Sequence, residues 1–402
     1  MRLLLITNLY PPQELGGYGR CMADFSWGLL QRKHQVQVIC SDAPYLGNGG
    51  NGPNGEPVSR CLQLKGSFES GVNLEQNPQL CHAINLANAA QLGHWLSQGR
   101  WDGVLLGNLD LLGAELLPVL LEGNIPVLHH IGFVSPPYAP AQQPRSPHYR
   151  LVAASEAVRE GLRASGFAAA AAPVVYPGAR VELFGWGATG QPLPAAANGS
   201  PTFPLKVCFA GLLMGSKGAH TLVQALIQLN QEGINIQANL AGDSFQAGYR
   251  EQLESMLAGA GLHGVVRFVG QLSRPQLARF FRLHHACVFP SIYPEAFGIV
   301  GAEAMASGLA LVSSGVGGAG ELIETEISGL GFKPGDSQSL AKALRRLVQE
   351  PALMSRLSQA GEQRVRQRFS VTAAAAELER LFRQTSDQIP SITAACRGKV
   401  FF

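Results

Sequence analysis

The sequence contains no run of about eighteen apolar residues of the kind a membrane-spanning helix needs. Its opening, MRLLLITNLYPP, holds one basic residue and too short an apolar stretch for a secretory leader, and reads instead as a first strand. Cysteine is sparse and dispersed: Cys21, Cys40, Cys61, Cys81, Cys208, Cys287 and Cys396 form no C-x-x-C pair and have no histidine at metal-ligand spacing. That pattern excludes a zinc module, predicts no bound metal, and suits reduced thiols in a cytoplasmic protein. Charged residues make up only 15% of the 402, and the net charge is +3. A nucleic-acid binder would show a basic face or stripe, so no nucleic-acid partner is expected. The small surplus lies in the arginines of the second half, and no strongly basic amino-terminal membrane patch is evident. Two motifs are also missing. No D-x-D pair is present to seat a divalent ion, and Gly16-Gly17-Tyr18-Gly19 lacks the G-x-G-x-x-G spacing of a nicotinamide dehydrogenase.

What the sequence does contain is a repeated alternation of apolar runs, glycine-rich loops and amphipathic segments. Length alone predicts two domains, each large enough to bury its own core. Arg2 to Thr7 reads as a buried parallel strand, Asn8 to Gly19 as a proline- and glycine-rich loop, Arg20 to Arg32 as a helix and Gln35 to Ile39 as a second strand. Asp42 to Pro57 looks too glycine-rich to pack and is expected to be a mobile loop at a site edge. A strand from Pro126 to Leu128 is predicted to end at His129 and His130. Composition shifts from Gly185 to Pro204, which sets the domains at residues 1–187 and 205–370 with a linker at 188–204. A helix at 371–388 and a loose tail at 389–402 follow.

The second half is organised around Ala286 to Ile323, ACVFPSIYPEAFGIVGAEAMASGLALVSSGVGGAGELI. An apolar strand stops at Pro290, a loop carries Glu295, a helix runs from about Gly298 to Gly308, and another strand follows at once. Such a unit needs a parallel sheet with a right-handed crossover, and ligands then sit at the strands' carboxyl ends, beside free N–H groups at the helix start. Glu295 and Glu303 flank that start, and both are predicted to face one ligand. Carboxylates accept hydrogen bonds from vicinal hydroxyls, so a sugar-rich ligand carrying phosphate fits.

The E-x7-E spacing of Glu295 and Glu303, the Phe297-Gly298 pair and the EAMASG run resemble the retaining glycosyltransferases of family 4. The resemblance implies an α/β fold of the GT-B type, with two Rossmann-like domains facing across a cleft and a carboxyl-terminal helix crossing back. It implies that Glu295 meets the donor sugar, that Glu303 meets the nucleotide ribose, and that the backbone of Phe297, Gly298 and Ile299 binds sugar hydroxyls and phosphate. Gly16 and Gly17 match a loop facing the donor diphosphate and the acceptor. Gly211, Lys217 and Gly218 match a diphosphate-gripping G-R-x-x-x-x-K-G, with Leu212 in place of the arginine. His130 is the nearest counterpart of a strand-end histidine that touches the donor sugar, with His129 second, although the family's spacing falls on Gly132. Gly317-Gly318 with Glu321 matches a GG-x-x-E near the donor, although Glu321 equally suits an acid at a helix start, favoured by the dipole.

The activity so implied is transfer of a hexosyl group, with retention, from a UDP- or GDP-hexose to a hydroxyl acceptor. No cofactor or metal takes part, and Lys217 offsets the charge of the departing diphosphate. Attack on the front face, with the leaving phosphate helping to deprotonate the acceptor, requires no enzymic nucleophile. Many relatives use lipid-linked acceptors, which leaves room for peripheral contact with the inner face of a membrane. Sugar-nucleotide 2-epimerases share the architecture but fit the E-x7-E and FG matches less well. A degenerate member serving as a binding or scaffold subunit would account for Leu212 and the shifted histidine.

Overall fold

A computed structural model describes every residue except 70, 134–137, 186–193, 195–196, 263 and 388–402. Residues 188–193 and 195–196 of the expected linker and all of the expected tail beyond residue 388 therefore lie outside the described residues. Among the described residues, no helix is long and apolar enough to cross a membrane.

Two six-stranded sheets dominate, and all their pairings are parallel. The first has spatial order Val58–Leu62, Gln35–Ser41, Arg2–Ile6, Gly103–Leu106, Val127–Ile131 and Tyr149–Ala153. The second repeats the pattern with Val266–Gly270, Ile236–Ala241, Leu205–Ala210, Ala286–Phe289, Ala310–Ser313 and Leu330–Gly331. Each order reverses direction beside its first strand, at Arg2–Ile6 and at Leu205–Ala210. In doubly wound sheets that switch point is where a ligand crevice opens. The central strands are continuous apolar runs because helices cover both faces: Leu3, Leu4, Leu5 and Ile6 are at most 1% exposed, as are Ala286, Cys287 and Val288.

The chain returns to the first domain beside Ala179. The Ala179 N–H donates to the Phe369 carbonyl at 2.7 Å, and the Val371 N–H donates back to Ala179 at 3.0 Å. From there the helix Val371–Asp387 returns to the first domain and packs on the helix Tyr18–Gln31. Gly28 permits that packing, since a Cβ there would lie 2.6 Å from the Ala375 Cβ. The fold is thus the one expected, with the crossing helix in place.

Two local expectations fail. The glycine-rich insertion at 42–57 reaches a pocket edge with Pro53 and Asn54, as expected, but its second half is anchored there: Glu56 is 1% exposed and accepts from the Tyr10 hydroxyl, and the Asn54 amide donates to the Ala23 carbonyl at 3.0 Å. Its few polar side chains find buried partners, which a count of glycines does not reveal. The strand expected to stop before His129 continues through Ile131 and takes both histidines into the sheet.

Candidate active site between the domains

The strand Ala286–Phe289 is buried and stops at Pro290, which cannot extend the ladder. The loop that follows is pinned by glycine. Gly298, at φ +104°, caps the helix Ile299–Ala306, and Gly317, at φ +61°, lies so close to Glu295 that a Cβ would stand 2.5 Å from the Glu295 carbonyl oxygen. The Gly318 N–H donates to that carbonyl at 2.7 Å. Lys217 ends a short turn after Leu205–Ala210, and Gly218, at φ +71°, follows it. A side chain at Gly218 would strike the Pro290 carbonyl, so only glycine lets this turn lie against the Glu295 loop.

These constraints bring Lys217 and Glu295 together: Nζ donates to Oε1 at 2.6 Å. The Ser291 hydroxyl donates to the same oxygen at 2.5 Å. Glu295 keeps 15% and Lys217 31% of its side-chain surface open, so both remain reachable. The Ile299 and Val300 N–H groups open the helix Ile299–Ala306 ahead of its first bond, from the Gly301 N–H to the Gly298 carbonyl at 3.0 Å, and they add positive potential beside the pair. The loop from the first domain approaches the same helix end, where a Cβ on Gly17 would meet Ile299 Cδ1 at 3.4 Å. Gly16 adopts φ +69°, and Gly211, at the end of Leu205–Ala210, adopts φ +154° beside Gly242. Phe297 contributes only backbone here, because its ring is 2% exposed and packs against Tyr176 and Phe369.

Three residues are placed differently from expectation. His130 is fully buried and reaches no ligand space: the Tyr18 hydroxyl lies 3.0 Å from Nδ1, and Nε2 lies 2.9 Å from the Val175 carbonyl oxygen. Burial pushes its pKa down to about 4, so it is neutral. His129 is buried as well, 2.7 Å from the Tyr149 hydroxyl, with its pKa pushed down to about 3 by burial and by the neighbouring ring. The side chain of Glu321 turns to the first domain, accepting from the Glu156 and Ala157 N–H groups at 3.1 and 2.9 Å and from the Tyr176 hydroxyl at 2.8 Å. It caps the helix Glu156–Ala164 from across the interface.

Glu303 lies a turn inside the site helix, as its spacing predicts, but it is fully buried behind an arginine instead of standing open. Arg274 Nη2 donates to its Oε1 at 3.0 Å, while Oε2 has no partner. Burial raises the Glu303 pKa, and the Arg274 charge opposes that rise. Arg274 also forks onto Asp24 of the first domain. It lines a pocket of about 800 Å³ between the domains, together with Arg20, Asp24, Trp27, Arg180 and Leu272. Sequence reasoning missed Asp24 and Arg274. The available signal was a carboxylate set inside the apolar run Cys21-Met22-Ala23-Asp24-Phe25.

Paired parallel sheets and a helix returning to the first domain define the fold class, GT-B. Residues 195–364 match the family model for glycosyl transferases group 1. The whole chain is similar to a glycogen synthase of Mycobacterium tuberculosis, at 26% identity over 98% of this chain and 99% of the relative. It is also similar to a D-inositol 3-phosphate glycosyltransferase of Streptomyces avermitilis, at 29% identity over 67% of this chain and 58% of that one. Among solved structures, sucrose-phosphate synthase from Thermosynechococcus elongatus superposes with a TM-score of 0.74 at 21% identity, covering 96% of this chain and 100% of that one. Anabaena HepE in complex with UDP and glucose gives 0.69 at 19% identity, covering 95% and 99%. With this fold, domain match and set of relatives, the chain is a glycosyltransferase.

Proposed function

We propose that the protein is a family 4 enzyme that transfers a hexosyl group, with retention and without a metal, from a UDP- or GDP-hexose to a hydroxyl acceptor. The observation that carries this reading is the Lys217–Glu295 pair beside the start of the helix Ile299–Ala306, with the Gly16-Gly17 loop of the other domain against it. A carboxylate accepts from sugar hydroxyls, and an ammonium with helix N–H groups offsets charge on a departing diphosphate. As the bond to the diphosphate breaks, negative charge grows on the leaving oxygen, and Lys217 Nζ is the cation of the pair that can follow it. The leaving phosphate then takes the acceptor proton, so Glu295 orients the sugar and acts as neither base nor nucleophile. Relatives named for glycogen and inositol phosphate chemistry support a hydroxyl acceptor. HepE with bound UDP and glucose supports a nucleotide sugar as donor.

The test is product analysis with a panel of UDP- and GDP-hexoses, in chelator. The reading expects undiminished turnover and a product whose anomeric configuration matches the donor's by NMR. Inverted product would refute retention, and turnover lost in chelator and restored by magnesium or manganese would refute metal independence.

A further inference from the structure

We propose that Asp24, on the first domain, is a positioning residue for donor recognition: through Arg274 it keeps one oxygen of Glu303 free for a ligand hydroxyl, so the nucleotide is held tightly only when the domains are closed. The inference rests on the nucleoside diphosphate reading of the site.

Asp24 occupies the buried face of the helix Tyr18–Gln31 and is 1% exposed. A carboxylate there is costly unless paired. Its partner comes from the other domain, 250 residues away: Arg274 Nη1 donates to Oδ1 at 2.5 Å and Nη2 to Oδ2 at 2.8 Å. This is the two-toothed geometry in which a guanidinium binds a carboxylate most firmly. Nη2 also donates to Glu303 Oε1 at 3.0 Å. One arginine thus serves two buried acids, one from each domain. Arg180 does not relieve it, since its Nη1 stands 4.0 Å from Asp24 Oδ1 and is held by Asn54 at 2.9 Å.

Because the fork is spent on Asp24, Glu303 receives a single bond and its Oε2 is left buried without a donor. Arg274 Nε is likewise without a partner. A buried acceptor left empty is unfavourable, and a ligand hydroxyl reaching past Arg274, which lines the interdomain pocket, would satisfy it. Without Asp24, the guanidinium is free to turn its fork on Glu303 and engage both carboxylate oxygens. The same would follow whenever the domains part, since Asp24 leaves with the first domain. The arrangement therefore makes the second domain's own arginine a competitor for Glu303, and the first domain the group that draws it off.

The experiment is calorimetry of UDP and GDP with the full chain, as wild type, Asp24→Asn, Arg274→Lys, Glu303→Gln and Asp24→Asn/Glu303→Gln. Asp24→Asn and Glu303→Gln are each expected to raise Kd at least tenfold, and the double variant to lie within about threefold of either single one, since both act on one contact. Arg274→Lys keeps the charge but cannot fork onto both Glu303 oxygens, so it removes the competitor and is expected to bind within about threefold of wild type. A Kd within twofold of wild type for Asp24→Asn, with only its Tm lowered, would overturn the positioning role while Glu303→Gln still upheld nucleotide binding. Should Asp24→Asn fail to fold, a Kd raised tenfold or more in Arg274→Lys overturns it equally, because removing the competing fork should not weaken binding. Wild type binding neither nucleotide would overturn both this role and the proposed function.

Discussion

At the residue scale, the proposed chemistry is concentrated in Lys217 and Glu295, which share a 2.6 Å contact. Removing the carboxylate charge with Glu295→Gln should lower turnover by roughly 10- to 100-fold, because the hydrogen bond to the sugar weakens but is not lost. Both residues were legible in the sequence because their setting is local, with glycines at Gly218 and Gly298 and the proline that stops the strand. His130 was misjudged for the opposite reason. Its partners, Tyr18 and Val175, come from distant segments, and no local pattern distinguishes a strand-end histidine from one inside the sheet. Its burial has a consequence for pH. His129, His130 and His284 are held neutral with pKa values pushed down to about 3, 4 and 4 by burial, so each stabilises the fold fully above its ordinary value of 6.5. That contribution is lost as pH falls from 6.5 through 4, at roughly 3 kcal/mol at most for His130. Asp110, whose pKa burial raises to about 6, and Glu303, also raised by burial, work in the other direction over part of that range, but these two carboxyls oppose five rings, since burial lowers His34 and His220 as well. Urea midpoints measured from pH 7 to pH 4 should therefore fall steadily, and a flat profile would contradict the buried neutral rings.

At the element scale, the site depends on helices meeting closely, and one such meeting joins the domains, between Tyr18–Gln31 and Val371–Asp387. Gly28 lies there with no space for a side chain. Gly28→Leu should destabilise the protein by about 1–3 kcal/mol through overpacking, read as a lowered denaturant midpoint. The returning helix is also tied by Glu379, which Arg32 and Arg383 bond and whose pKa they hold down to about 2. Strands and helices of both domains were readable from apolar runs and from turn residues, since each element carries its own pattern. The edge strand Val58–Leu62 was not, because it is only half-buried and follows the glycine-rich insertion. That insertion was misread because its packing rests on two side chains, Asn54 and Glu56, whose partners lie elsewhere in the chain.

At the scale of the whole molecule, the domains are held by contacts that no single segment announces: Arg274 on Asp24, Glu321 capping Glu156–Ala164, and the crossing at Ala179. Glu321 was expected near the donor because of its motif, and its side chain is used instead to join the domains. Glu321→Ala removes the cap and should cost about 1 kcal/mol of stability. It should also enlarge the radius of gyration in small-angle scattering, and an unchanged radius would mean the cap does not govern closure. Two domains and a cleft follow from the repeated pattern in the sequence, whereas the degree of closure depends on long-range ion pairs that appear only in three dimensions.

The central claim, that Lys217 and Glu295 form the donor-handling pair, is tested most directly by the rate of nucleoside diphosphate release from a preferred nucleotide sugar in wild type and in Lys217→Ala. The account predicts measurable release by wild type and a loss of about 100- to 1,000-fold in Lys217→Ala at unchanged Tm, the range expected when one group stabilising a leaving charge is removed. A Lys217→Ala enzyme that turns over at the wild-type rate would contradict it.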